Sequence, residues 1–172
     1  MTFEEKIKYI DKDKGFGKFV KFTNVEDFPK LDNETKSILK NYGVYSYHQG
    51  RLITDGKLIK IDDTKIQFGK SPWVEVLYYI DISKNNAIFG HIKSENRNFP
   101  VNNSLKKYIE CLFIMRYYSV EIEGEEIFGE YYENQNYKKY AAKLKEMFLE
   151  IEPNIMKTSW SSEVLEREIG AL

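Results

Sequence analysis

The chain has 172 residues and a formal charge of −1, from 26 lysines and arginines against 27 aspartates and glutamates. At about 100–200 residues per domain, this length predicts a single domain over 1–172. The balanced charge argues against direct nucleic-acid binding, which usually needs a basic excess, and an aromatic content of 15% excludes a disordered chain.

The first part of the sequence predicts two helices and a strand. A helix is expected over Phe3–Ile10 and an edge strand over Phe16–Phe22. The strongest helical signal is Asp32–Tyr42, where Asp32 is a favourable N-cap and Gly43 a natural residue after the last turn. Apolar positions recur there at helical spacing. The expected buried stripe consists of Leu31, Thr35, Ile38, Leu39 and Tyr42.

The middle of the chain predicts an antiparallel sheet. Asp55-Gly56 lies between Arg51–Thr54 and Lys57–Ile61, and such a dipeptide favours a hairpin because both turn positions need positive φ. In the next segment, apolar residues alternate with mixed ones, as in a strand with one face on a core. Asn85-Asn86 then predicts a turn into Ala87–Lys93. The alternating apolar residues are Val74, Val76, Tyr78, Ile80 and Ile82.

Three helices are predicted after the strands. The first covers about Ser104–Tyr118 with Asn102 or Asn103 as its cap, the second ends before Pro153, and the third follows Ser161. Strands flanked by helices indicate an α+β fold, an antiparallel β-sheet with helices packed around it. The residues expected to be buried are Leu105, Tyr108, Ile109, Leu112 and Phe113, then Tyr137, Tyr140, Ala141, Leu144, Phe148 and Ile151, then Val164, Leu165 and Ile169.

No residue pattern predicts a catalytic site, a cofactor or a metal. The phosphate-loop and zinc-helix motifs are absent from the sequence, and no sequence pattern brings His48 and His91 together. Cys111 lacks the base and electropositive setting of a thiol nucleophile, so a structural role is favoured. A lone cysteine fits a reducing compartment. With no secretory signal or membrane span in the sequence, a cytoplasmic protein without membrane contact is expected.

The stretch from Tyr117 to Tyr137 contains no lysine or arginine, although glutamates and tyrosines are frequent in it. One interpretation is a solvated acidic loop. The other is a docking surface for a basic partner, with carboxylates that steer the encounter and tyrosines that provide anchoring area. The candidate partner-binding residues are Glu121, Glu123, Glu125, Glu126, Glu130, Tyr131 and Tyr132.

The segment Phe99–Phe113 resembles the signature of the SUKH superfamily, in which a strand ends in a val-asn-x-ser-leu turn and enters a helix with an inward aromatic. The matching residues are Val101, Asn102, Ser104, Leu105 and Tyr108. Residues 28–44 resemble the early helix of the family and its glycine exit. The tail is similar to that of the fourth SUKH subfamily in Glu152, Pro153, Trp160 and the segment Glu163–Gly170. The resemblance spans about residues 25–172.

This resemblance implies an α+β immunity protein of a bacterial polymorphic toxin system. Such proteins bind and occlude a cognate toxin domain, often a nuclease, in the cytoplasm of the producing cell, and the family carries no catalytic residues. Because a nuclease needs a basic surface to hold nucleic acid, the acidic candidates would imitate phosphate charge. Two alternatives remain: a general interaction or regulatory module of the SUKH type, and a small hydrolase with an unrecognised carboxylate pair. The hydrolase would have a deep pocket that holds a strongly perturbed Asp or Glu.

Overall fold

Two helices and a small sheet form the first part of the structure. The computed structural model describes residues 1–12, 17–48, 50–122 and 137–170. Helix α1 covers Phe3–Asp11 and helix α2 covers Asn33–Asn41. Strands β1 (Lys18–Val20) and β2 (Val44–Ser46) pair antiparallel. Both helices and the edge strand were predicted, and all three are confirmed.

Helix α2 begins and ends as its sequence predicts. The Asp32 carboxylate accepts a hydrogen bond from the N–H of Thr35 at 2.6 Å, which satisfies one of the donors left unpaired in the first turn. After the last turn, Gly43 has a φ of +86°, which glycine adopts without the steric penalty of a Cβ. Within the expected stripe, Tyr42 is half-buried. The stripe residues that are fully buried are Leu31, Thr35, Ile38 and Leu39.

A second antiparallel sheet of five strands, called the large sheet below, has the order β3-β4-β5-β6-β7. Its strands are β3 (Ile59–Lys60), β4 (Lys65–Lys70), β5 (Val76–Asp81), β6 (Ala87–Ile92) and β7 (Arg97–Asn102). Each strand pairs with its neighbour in the sequence. Asn85 and Asn86 have φ values of 55° and 59° before β6, so the hairpin predicted at this pair is confirmed. Val74, predicted on the apolar face of this strand, instead lies before β5 and is 62% exposed, and Ile82 follows β5.

The hairpin predicted at Asp55-Gly56 is wrong. Ile53 instead exchanges two backbone hydrogen bonds with Lys70, at 2.8 and 3.0 Å, and β3 pairs with β4. Gly56 does have a positive φ of 77°, but this glycine permits a close approach between loops, because an added Cβ would lie 2.5 Å from the carbonyl oxygen of Lys21. Strand β4, which the sequence did not predict, takes the place of the expected partner.

The first of two compact units, Met1–Ile109, contains both sheets. One face of the large sheet is covered by the first turns of helix α3 (Leu105–Tyr117), where the rings of Phe68 and Tyr108 lie 6.3 Å apart between centroids. The fold is therefore α+β, with an antiparallel sheet and helices packed on it, as predicted. The side chains buried on this core face are Ile66, Phe68, Val76, Tyr78, Ile80 and Ile88.

The cap of α3 differs from the prediction. The hydroxyl of Ser104 accepts the N–H of Lys107 at 3.3 Å, whereas the sequence predicts Asn102 or Asn103 as the cap. Serine is as effective a cap as asparagine. Because Ser104 follows Asn103 by one residue, the helix starts at Leu105.

The second unit, Glu110–Leu172, is helical where the structure describes it. A π-helical turn over Tyr118–Ile122 follows α3, and helices α4 (Tyr137–Ile151) and α5 (Ser161–Glu168) come next. The rings of Phe148 and Trp160 lie 5.4 Å apart between centroids. The α4 residues predicted to be buried and found so are Tyr140, Ala141, Leu144 and Phe148. No helix within the described ranges is long and apolar enough to cross a membrane.

Helix α5 buries a different set of residues than predicted. Val164 is buried, but Leu165 and Ile169 are 52% and 74% exposed. Arg167 takes the inward position at 4% exposure. Its guanidinium donates to the carbonyl oxygen of Glu163 at 3.0 Å and lies 5.3 Å from the centre of the Tyr118 ring, so its charge is stabilised by a hydrogen bond and a cation–π contact.

The side chain of Asn24 pairs with the backbone at the edge of the large sheet, directly before β3. Asn24 donates from its amide nitrogen to the carbonyl oxygen of Leu58 and accepts the N–H of Leu58 at its amide oxygen, both at 2.9 Å. The N–H of Ile61 donates to the carbonyl oxygen of Lys65 on β4. The backbone groups of alternate residues in a strand point to the same side. Those of Ile59 and Ile61 therefore point toward β4, and those of Leu58 point away from it. Asn24 therefore pairs with the groups that a further strand would otherwise meet.

Candidate interaction surface on the large sheet

Of the predicted partner-binding residues, Glu121 lies in the part of the chain that the structure describes. This residue is exposed on the π-helical turn that follows α3. The other predicted residues, Glu123, Glu125, Glu126, Glu130, Tyr131 and Tyr132, lie outside the described residues. The acidic docking surface therefore stays a prediction.

The surface that the structure does describe is the outer face of the large sheet, opposite the face that contacts Tyr108. Side chains of successive strand residues point to opposite faces. Because Phe68 and Ile80 lie on the core face, Tyr79 lies on the other, where the register places it opposite Gln67 on β4 and Phe89 on β6. The outer face, as the term is used below, consists of Ile59, Ile61, Lys65, Gln67, Leu77, Tyr79, Phe89, His91 and Asn98.

The centre of the outer face is aromatic. The rings of Tyr79 and Phe89 are stacked, with 5.8 Å between centroids and an interplanar angle of 20°. The ammonium group of Lys84 lies 4.8 Å from the centre of the Phe89 ring, a cation–π contact that fixes this end of the stack. Burial among its neighbours raises the pKa of the Tyr79 hydroxyl. Tyr79 is 3% exposed and Phe89 is half-buried, so Tyr79 supports the stack from within and Phe89 contributes its accessible part.

Two isoleucines extend this apolar surface to the edge of the sheet. Ile59 and Ile61 are 52% and 45% exposed. Ile59 lies opposite Gln67 of β4, and the N–H of Ile61 donates to the carbonyl oxygen of Lys65 at 2.9 Å, so both side chains belong to the outer face. Covering two exposed isoleucines is favourable because it removes apolar surface from water.

A shallow groove of about 320 Å³ crosses the outer face. Polar side chains form its rim, among them His91 and Asn98, which lie opposite each other with 2.9 Å between Nδ1 and Oδ1. The groove is lined by Ile61, Lys65, Leu77, Tyr79, His91, Lys93, Asn96 and Asn98. An apolar, aromatic centre inside a polar rim is typical of protein–protein interfaces.

Asp62 stabilises the turn between β3 and β4, at one end of the outer face. One carboxylate oxygen accepts the N–H groups of Thr64 and Lys65, both at 2.8 Å, and the other pairs with the Lys65 ammonium at 3.1 Å. These bonds, first that from the Thr64 backbone, hold the pKa of the Asp62 carboxyl well below its usual range. The carboxylate is therefore ionised at neutral pH and fixes the exit of β3.

The cysteine and the two histidines, which the sequence suggests as candidates for catalysis or metal binding, lie in separate parts of the structure. Cys111 is fully buried on α3, as expected of a structural cysteine. His91 belongs to the outer face, and His48 is exposed after β2. Within the described ranges, no group of three or more His, Cys, Asp and Glu side chains is arranged to hold a metal ion.

The sequence does not predict the outer face as a candidate site. The one available signal was the alternation of Ile59 and Ile61 with polar residues. In the sequence, that alternation favours a hairpin with Arg51–Thr54, and nothing in such a hairpin indicates that the isoleucines are exposed.

Several of the residues that carry the family resemblance are packed in the interior, whereas Pro153 and much of the segment Glu163–Gly170 are exposed. Val101, Leu105 and Tyr108 are each at most 1% exposed at the junction of β7 and α3, and in the tail Glu152 and Trp160 are each 1% exposed. These residues therefore determine packing and do not form a contact surface. Comparison of the chain with protein-family models, curated proteins and solved structures finds no match.

Proposed function

We propose that this protein is an immunity protein of a bacterial polymorphic toxin system, which neutralises a cognate toxin domain by binding and covering it. The observation that carries the proposal is the outer face, where Ile59 and Ile61 remain exposed at the sheet edge and the half-buried Phe89 stacks on the buried ring of Tyr79. Apolar and aromatic side chains presented on a rigid sheet provide binding energy when a partner excludes water from them.

The motif order of the chain supports an immunity protein in particular. The strand that ends at Asn102, the Ser104 cap and the inward Tyr108 are what the SUKH-type turn requires physically. An asparagine, a capping serine and a buried leucine in succession change a strand into a helix within three residues.

The acidic residues are proposed to steer the encounter with a basic toxin. Glu121 is exposed, as steering requires. Replacement by lysine of Glu121, Glu123, Glu125, Glu126 and Glu130 should lower the association rate with the toxin domain and weaken its dependence on salt, because long-range attraction between opposite charges is screened by ions. Unchanged association kinetics would remove these residues from the proposed site and leave the immunity function standing.

Rescue of bacterial growth tests the function. The C-terminal domain of the protein encoded directly upstream of this gene is expressed alone or together with this chain. Growth arrest by the domain alone and recovery with the chain support the proposal. A domain that is harmless, or whose toxicity the chain leaves unchanged, contradicts it and favours the general interaction module.

Variants of the outer face test the surface. Ile59→Glu combined with Ile61→Glu places two charges in the apolar strip and should abolish rescue. Leu165→Glu is the matched control, because Leu165 on α5 is 52% exposed, as Ile59 is. Circular dichroism verifies that both variants fold. Normal rescue by the double variant would show that the outer face does not bind the toxin.

A further inference from the structure

The turn between β4 and β5 presents an exposed tryptophan. Trp73 and Val74 are 69% and 62% exposed, whereas Trp160 is 1% exposed. An indole offers on the order of 150–250 Å² for burial, and tryptophan is enriched among the residues that dominate binding energy at protein interfaces. Single exposed apolar residues are common on protein surfaces, but here two adjacent ones occupy the same turn.

This turn is held in one conformation by hydrogen bonds. The Ser71 hydroxyl accepts the N–H groups of Trp73 and Val74, at 3.3 and 3.4 Å. The N–H of Ser71 donates to the carbonyl oxygen of Val76 at 2.8 Å, and that of Val76 to the carbonyl oxygen of Val74 at 2.7 Å. Pro72 restricts the remaining backbone freedom. Because the turn is ordered before binding, little conformational entropy is lost when the two side chains are covered.

The turn continues the outer face and carries charges of both signs. Strand β5 leads from it to Leu77 on the outer face. Glu75 lies beside Lys93, whose N–H donates to the Glu75 carbonyl oxygen at 2.9 Å, and Lys70 ends β4; all three side chains are exposed. A segment that binds anionic lipid usually has cations without a neighbouring carboxylate. Mixed charges around an apolar tip match a protein pocket with a mixed polar rim.

We propose that Trp73 and Val74 anchor this protein in an apolar pocket of its protein partner. The inference rests on the proposed function, in which that partner is the toxin domain. The pocket accepts the indole of Trp73 and has on its rim a cation that faces Glu75 and carboxylates that face Lys70 and Lys93.

Fluorine NMR observes the anchor without altering it. The chain is labelled with 5-fluorotryptophan and mixed with the unlabelled C-terminal domain of the protein encoded upstream. The resonance of Trp73, assigned with Trp73→Phe, should shift on complex formation, and that of buried Trp160 should not. A complex that forms while the Trp73 resonance stays unchanged overturns the inference but not the immunity function. Absence of any complex with the wild-type chain rejects both.

Affinity measurements determine the contribution of the anchor. Trp73→Ala should weaken binding about 30-fold or more, the range of a hot-spot residue, and Ser71→Ala several-fold by loosening the turn. Leu165→Ala, an exposed apolar residue on α5, is the control and should bind as the wild type does. Equal affinity of Trp73→Ala and wild type overturns the inference. So does a shift of the Trp73 resonance that phosphatidylglycerol vesicles produce and the toxin domain does not.

Discussion

Replacement of Gly90 by alanine should destabilise the protein through a single ring, that of Phe99. The two residues lie directly opposite each other on β6 and β7. A Cβ at Gly90 would lie 2.1, 2.5 and 2.6 Å from three atoms of the Phe99 ring, well inside contact distance. Since the ring covers the glycine, alanine is accommodated only if Phe99 moves away and loses its packing.

The expected change in the free energy of unfolding is the difference between two opposed effects. Overpacking of this kind typically costs about 1–3 kcal/mol, whereas alanine restricts the unfolded chain and returns about 0.4–1 kcal/mol. The net loss for Gly90→Ala is thus about 1–2 kcal/mol. When Phe99 is alanine as well, the steric conflict disappears and Gly90→Ala should be neutral or stabilising by about 0.5 kcal/mol. The coupling between the two sites is therefore about 2 kcal/mol.

Urea unfolding of the four proteins in this double-mutant cycle measures the coupling. Asn98→Ala provides the control, because Asn98 lies on the same strand but on the outer face and should add to Gly90→Ala within about 0.5 kcal/mol. A coupling between Gly90 and Phe99 below about 0.5 kcal/mol would refute the reasoning.

Three further predictions concern local structure. Asp62→Asn should lower the urea midpoint at pH 7, because the pKa of Asp62 is depressed in the folded state. The ionised carboxylate then stabilises the fold above its unfolded-state pKa of about 3.9, and this contribution is lost as the pH falls through the lower folded-state pKa, so the midpoints of variant and wild type should converge in acid. Asp32→Ala should cost about 1 kcal/mol by removing the cap of α2, while Asn33→Ala should change the thermal midpoint little. Gly43→Ala should cost more than Asp32→Ala in the same melting experiment, because its φ is positive and an added Cβ would lie 2.1 Å from the carbonyl oxygen of Val20.

The elements that the sequence predicts well are those defined by neighbouring residues. Helix α2 follows from the Asp32 cap, its apolar spacing and Gly43, all within a dozen positions of the chain. The turn at Asn85-Asn86 follows from the tolerance of asparagine for positive φ. In both cases the hydrogen bonds or backbone angles that decide the structure belong to the segment itself.

The predictions that failed depend on residues distant in the chain. Gly56 looks like a hairpin glycine, but its positive φ permits contact with the backbone of Lys21. In α5, apolar spacing favoured Leu165 as an inward residue, yet the inward position belongs to Arg167, whose charge is stabilised partly by the ring of Tyr118. The pattern of apolar residues in a helix does not indicate a contact with a residue as distant in the chain as Tyr118.

The candidate site could be predicted only in part for the same reason. The charge segregation that singles out Glu121 is visible in the distribution of charged residues along the sequence. The exposure of Ile59 and Trp73 is not, because an apolar residue in a strand or turn is usually assigned to the core. Only the register between β3 and β4 shows that Ile59 lies on the outer face.

The amide of Asn24 has a consequence for behaviour at high concentration. A sheet edge with exposed isoleucines is a template on which further copies of a chain can add and polymerise. Asn24 occupies both backbone groups of Leu58, so these groups cannot pair with the strand of another copy. Ile59 and Ile61 stay uncovered. One side chain thus opposes the edge-to-edge addition of further copies and leaves the apolar surface of Ile59 and Ile61 accessible to a partner.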